Sequence, residues 1–176
     1  MVPADSEGNG SITGILVDDH RRLEQLLESA VDSEGHVEPD SYNHFRAGLL
    51  RHIGIEEKIL LPAAQRQRGG EPLPIASKLR LDHGAIAALL MPTPTSSVLA
   101  MLRSILEKHN LLEEGPEGLY PTCDTVLQEE MDRLLVQLRA APNLAVIPCS
   151  DAPAVLGAVR RAVGRAGFEL SDDFPR

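Results

Sequence analysis

Apolar residues recur every three to four positions over four long stretches of the chain, a helical period and not the alternation of a strand. The first stretch runs from about Ile12 to Ala30, with Ile15, Leu23, Leu26 and Leu27 forming its stripe. The second starts near Asp40, a predicted N-cap after Pro39. It continues through Phe45, Leu49, Leu50 and Ile59 until Gly69-Gly70 stops it. The third spans about Pro74 to Met91 and the fourth about Ser96 to Glu114. Gly115 and Pro116 break the pattern, and helical spacing resumes from Leu119 to Arg139, as a kinked continuation or a separate helix. Elements this long, rising ~1.5 Å per residue, suit an all-α helical bundle. In the tail, Leu144 to Ile147 reads as a short strand candidate and Ala154 to Val163 as a helix that docks on the bundle or at a subunit contact.

The pattern also repeats. Asp19-His20 opens the motif DHxxLxxLL and Asp82-His83 opens DHxxIxxLL. One helix later each is followed by an HxxxE pair and then a proline: His52 and Glu56 before Pro62, and His109 and Glu113 before Pro121. The chain therefore reads as two helix pairs of one design.

Composition narrows the class. At 176 residues the chain has room for one compact domain, given roughly 100–200 residues per domain. With 24% charged and 43% hydrophobic residues it is globular, not disordered or fibrous. The longest run without Asp, Glu, Lys or Arg, from His83 to Leu102, is interrupted by Pro92 and Pro94, so no membrane helix is expected. A net charge of -9 argues against sequence-independent nucleic-acid binding, which needs a basic face. Met1 to Gly10 lacks the basic-then-apolar layout of a secretory signal, so a cytosolic location is expected. Cys123 and Cys149 form no CxxC pair and read as indifferent thiols. The expected layout is a loose leader over residues 1–11, the bundle over 12–140 and an extension of unassigned role over 141–176.

The chemistry lies in the repeat. Four residues along an α-helix advance slightly more than one turn, leaving two side chains about 40° apart on one face. Each HxxxE therefore sets an imidazole beside a carboxylate. His52 lies among Leu49, Leu50 and Ile53, and His109 among Ile105, Leu106, Leu111 and Leu112, so both are expected to be at least partly buried. Buried carboxylates are expensive without a partner, and a cation shared by two of them is the simplest one. Four imidazoles and two carboxylates converging from four helices form a metal site by ligand type.

The ordered set His20, His52xxxGlu56, His83, His109xxxGlu113 resembles the hemerythrin-like HHE cation-binding domains over about Ile12 to Arg139. The resemblance implies an up-down-up-down four-helix bundle around a non-haem di-iron centre. His20, His52, Glu56, His83, His109 and Glu113 would be its ligands, with Glu56 and Glu113 bridging the ions. It further implies an oxo or hydroxo group between two irons, or another divalent metal in their place, and oxygen, peroxide or a similar small molecule as ligand. The chain departs from the oxygen-carrying members, which have a second histidine one turn along the third helix, where this chain has Leu79 and Ala87. Those members also bridge with an aspartate five residues after the fourth helix's histidine; here that position is Glu114, and Glu113 stands at four. Two six-coordinate ions need about twelve donors; four His, two bridging Glu and one bridging oxygen supply roughly ten. An open site of this kind suits oxygen or peroxide chemistry more than simple reversible carriage.

Other residues read as lesser candidates. Glu57 and Glu114 are expected to be solvated or to support the ligands, and Glu24 to be a support or exposed. Tyr120 reads as a core tyrosine, reaching the site only if the Gly115-Pro116 break redirects the chain. His44, about 80° around the helix from His52, and His36, beside Gly35, read as surface residues. Ferritin-like ExxH and zincin HExxH patterns are absent, and the Gly8 to Gly14 glycines follow no strand. Three functions fit: a di-iron protein that binds or senses oxygen, a related oxidant or iron; a redox enzyme decomposing hydrogen peroxide at the same centre; or a structural zinc or other cation site. No separate general acid or base stands out beyond the ligands.

Overall fold

The computed structural model describes residues 10–175 and is helical over most of that length. Helix α1 (Ile12–Ser29) begins at Ser11, whose hydroxyl accepts from the Gly14 N–H. The expected leader lies outside the described residues as far as residue 9, and Ser11 belongs to the helix cap instead. Helix α2 (Pro39–Ile55) is capped by Glu38, not by the predicted Asp40. The Glu38 carboxylate accepts from the Asp40 and Ser41 N–H groups, and Pro39 takes the first helical position, where a missing N–H costs nothing. Past Ile55 the helix widens into a π-helical stretch, Glu56–Leu60, and resumes as α3 (Leu61–Gln67). Gly69 and Gly70, at φ 70° and 99°, then turn the chain into α4 (Ala76–Leu89). Helix α5 (Ser96–Glu114) has the predicted bounds.

After Gly115 the chain forms separate elements and not a kinked continuation: α6 (Leu119–Val126), a 3₁₀ turn (Gln128–Glu130) and α7 (Met131–Ala140). The last helix, α8 (Pro153–Arg165), packs along α4, with Leu156, Val159 and Val163 in the core. The strand suggested for Leu144 to Ile147 does not form. Residues 141–152 run without regular structure, tied down where Asp151 accepts from the Thr93 N–H and hydroxyl, and Leu144 and Ile147 stay exposed. No strand occurs among the described residues, so the segment has no ladder to join.

Two apolar clusters make up the core. One gathers Ile12 and Leu16 with Ile55, Leu60, Leu79, Leu119 and Leu134; the other gathers Leu23 and Leu27 with Phe45, Leu49, Ile86, Leu102 and Ile105. Helices α1 and α4 pass from the first cluster to the second, and α2 and α5 pass from the second to the first. Each of the four crosses between clusters at a histidine, which creates a buried polar layer between two apolar halves. No helix among the described residues is long and apolar enough to cross a membrane.

Candidate metal centre

The polar layer is assembled by local features of each helix. Pro62 has no N–H to return to the Lys58 carbonyl, and its ring would strike that carbonyl in a regular α-helix. The turn therefore widens, and the Leu61 N–H reaches back five residues to the Glu56 carbonyl. Glu56 opens this widened turn one helical step beyond His52, and such turns gather at functional sites. On α5 the helix stays regular, and Glu113 stands one turn after His109.

His20, His52, Glu56, His83, His109 and Glu113 come together, none more than 7% exposed. Their donor atoms form two groups, His20, His52, Glu56 and Glu113 in one and Glu56, His83, His109 and Glu113 in the other. Each glutamate presents one oxygen to each group. Glu56 Oε1 lies 3.2 Å from His52 Nε2 and Oε2 lies 3.1 Å from His83 Nε2. Glu113 Oε2 lies 3.3 Å from His20 Nε2, while Oε1 lies 3.0 Å from His109 Nε2.

The far nitrogen of each of these four histidines meets another carboxylate. His20 Nδ1 faces Glu114 Oε1 at 2.6 Å, and His52 Nδ1 faces Asp19 Oδ2 at 2.9 Å. His83 Nδ1 faces Glu57 Oε1 at 2.7 Å, and His109 Nδ1 faces Asp82 Oδ2 at 3.4 Å. A proton held on Nδ1 in this way leaves Nε2 turned to the centre as the donor to a cation. Cations back three of the carboxylates: Arg22 on Asp19, Arg80 on Glu57 and Lys78 on Asp82. Lys78 also donates to the Ala166 carbonyl, so the C-terminal extension helps hold the arm that orients His109.

The charges of these groups are strongly coupled. Burial works against a charged His52, but Glu56 and Asp19 outweigh it and raise its pKa to about 10. The same contest raises His83 to about 11, through Glu113, Glu56 and Glu57, and His109 to about 9, through Asp82 and Glu113. Burial and mutual repulsion oppose ionisation of Glu56 and Glu113, yet the surrounding histidines hold both below the ordinary glutamate value. The folded, metal-free chain thus retains protons on histidine that the unfolded chain releases. That stabilisation is complete below the ordinary histidine value of 6.5 and is lost as pH rises through about 9 to 11. The glutamates act on the other side, stabilising above 4.5 and losing that effect in acid. Chelator-treated protein is therefore expected to show a thermal midpoint that falls steadily from about pH 7 to about pH 10, followed by circular dichroism; a flat profile would contradict this balance.

Protons alone do not satisfy the layer. Glu56 Oε2, His83 Nε2 and Glu113 Oε1 are buried without a hydrogen-bond partner, although His83 Nε2 lies within 3.1 Å and 3.6 Å of the two oxygens. Groups that face one another so closely while misaligned for hydrogen bonds are costly, and a cation between them resolves the misalignment. The residues present fit a metal.

Tyr120 is the main departure from expectation. It is not an ordinary core tyrosine: its hydroxyl lies in the layer, donating to Glu56 Oε1 at 2.6 Å and reaching His20, His52 and Glu113. Burial and the two glutamates push its pKa well above the ordinary tyrosine value. Gly118 brings it there. A Cβ at that position would stand 2.5 Å from the Glu113 carbonyl oxygen and 2.8 Å from that of Leu112, so only glycine lets α6 fold back against the end of α5. Gly118→Ala is expected to destabilise the protein by about 1–3 kcal/mol in urea titration, because helix backbone cannot yield as a side chain would. No loss would mean that the close approach is relaxed in solution.

Asp19 and Asp82 were legible only as the letter before each histidine in the repeated DH pair. Glu57 and Glu114 prove to be supports, holding His83 and His20. Glu24, His36 and His44 are exposed and outside the cluster. Cys123 is buried and Cys149 exposed, both as free thiols.

A bundle whose helices carry two adjoining buried His/Glu groups defines a helical domain built for cations. The chain belongs to the hemerythrin HHE cation-binding domain family, whose model matches residues 11–123. That span includes all six residues and Tyr120 and stops before α7 and α8. Neither a curated protein nor a solved structure matches the chain.

Proposed function

We propose that the protein holds two iron ions at this centre and uses them in the cytosol to bind or sense oxygen, a related small oxidant or iron itself. The supporting observation is the pair of buried groups sharing Glu56 and Glu113. His20 and His52 would hold one ion, His83 and His109 the other, with both glutamates across the pair and the four site-bearing helices in up-down-up-down order. When bound, such ions supply reversible one-electron chemistry and affinity for small oxygen ligands. The chain's part is to fix each imidazole through its Nδ1 carboxylate and to keep the centre dry but reachable. A cavity of about 580 Å³ supports access: its lining runs from exposed Arg21, Glu24 and Glu107 inward to His20, His52 and His109. Leu23, Leu49 and Ile86 give it apolar walls.

Metal analysis of the purified chain tests the reading, with about two irons per chain and near-ultraviolet charge-transfer absorption expected. Zinc alone, without that absorption, would replace it with a structural role. A stable, reversible spectral change with oxygen supports binding. Sustained consumption of hydrogen peroxide would make the protein an enzyme instead.

A further inference from the structure

We propose that Tyr120 is itself a ligand, donating its phenol oxygen to the ion held by His20, His52, Glu56 and Glu113, so that the two metal positions are chemically different. The inference rests on the reading that the centre takes two ions, and it goes further by assigning a fifth protein donor to one of them.

The geometry around the hydroxyl carries the argument. Tyr120 Oη lies 2.6 Å from Glu56 Oε1, 3.0 Å from His20 Nε2, 3.1 Å from His52 Nε2 and 3.1 Å from Glu113 Oε2. These are all four donors of the first group. A hydroxyl has one hydrogen and two lone pairs, so it cannot satisfy four such neighbours by hydrogen bonding. A vertex of an octahedron, in contrast, has four neighbouring vertices. With metal–donor bonds of about 2.1 Å those neighbours lie about 3.0 Å away. Tyr120 Oη has that number of neighbours at close to that spacing. Two of the remaining edges agree, His52 Nε2 to Glu56 Oε1 at 3.2 Å and His20 Nε2 to Glu113 Oε2 at 3.3 Å.

The second group has no counterpart. Three of its donor atoms, Glu56 Oε2, His83 Nε2 and Glu113 Oε1, have no hydrogen-bond partner at all. One ion therefore receives five protein donors and the other four. As the oxygen–metal bond forms, the phenol proton leaves to water; a cation at the centre reverses the electrostatics that keep the hydroxyl protonated in its absence.

The chain contains two tyrosines, Tyr42 and Tyr120, which makes the test clean. Tyr42 is buried in the apolar cluster beside Phe45. The 176-residue chain loaded with ferric iron is expected to show a visible charge-transfer band with tyrosinate vibrations enhanced in its resonance Raman spectrum. Both should persist in Tyr42→Phe and vanish in Tyr120→Phe, with the affinity for one of the two irons falling about tenfold or more. Two irons bound to the wild-type chain without a tyrosinate signal would overturn the assignment and leave the di-iron reading standing, and this readout needs no variant to fold. Failure to take up two irons would overturn both.

Discussion

Glu56→Ala is expected to empty both metal positions, reducing the bound metal from about two ions per chain to fewer than one. One oxygen of this side chain faces His52 and the other faces His83, so its removal takes a donor from each group at once. His109→Ala provides the contrast. His109 belongs to one group only and is expected to leave about one ion in place. Elemental analysis after dialysis, with circular dichroism to verify helix content, separates the two outcomes. Full occupancy in Glu56→Ala would mean that the glutamates do not join the two positions.

Removing the metal from the wild-type chain is expected to cost nearly as much in stability as a large core deletion. Ligand that binds only the folded state stabilises it by about 2.7 kcal/mol at a hundredfold excess over its dissociation constant, so two ions give roughly 5 kcal/mol. For a chain of this size that corresponds to a fall in thermal midpoint of roughly 10–20 °C on chelation. The structural reason is the unpartnered trio Glu56 Oε2, His83 Nε2 and Glu113 Oε1, which remains buried when the cation leaves. Equal midpoints with and without chelator would show that the layer satisfies itself.

What the sequence made legible was the periodic part of the structure. The apolar stripes of α1 and α5 recur over whole turns, and both helices lie where the period placed them. The pairing of His52 with Glu56 and of His109 with Glu113 followed from i,i+4 spacing and apolar neighbours, both local properties, whereas His20 and His83 were singled out by the repeated DH motif and the ordered resemblance to the HHE domains. Non-local features were hidden. Nothing in the letters Asp19 and Asp82 says that each serves the histidine of the following helix, because that contact exists only once the helices pack. Tyr120 was legible only as a conditional candidate, for a related reason. Its place depends on Gly118 nesting against the last carbonyls of α5, a fit between backbones that hydropathy does not register. The cap of α2 was misplaced by two residues because the helix already begins at Pro39, and the Glu38 side chain takes the N–H groups of Asp40 and Ser41, which places Asp40 inside the first turn.

The arrangement of donors across the internal repeat has a consequence for how the centre fills. Each half of the chain contributes two histidines and one glutamate to its own group, and the fourth donor is an oxygen on loan from the other half. An ion arriving at either position immobilises both shared carboxylates, and so prepares the neighbouring position at no further conformational cost. The two positions are therefore coupled in both senses, the second ion meeting carboxylates already in place and also the charge of the first.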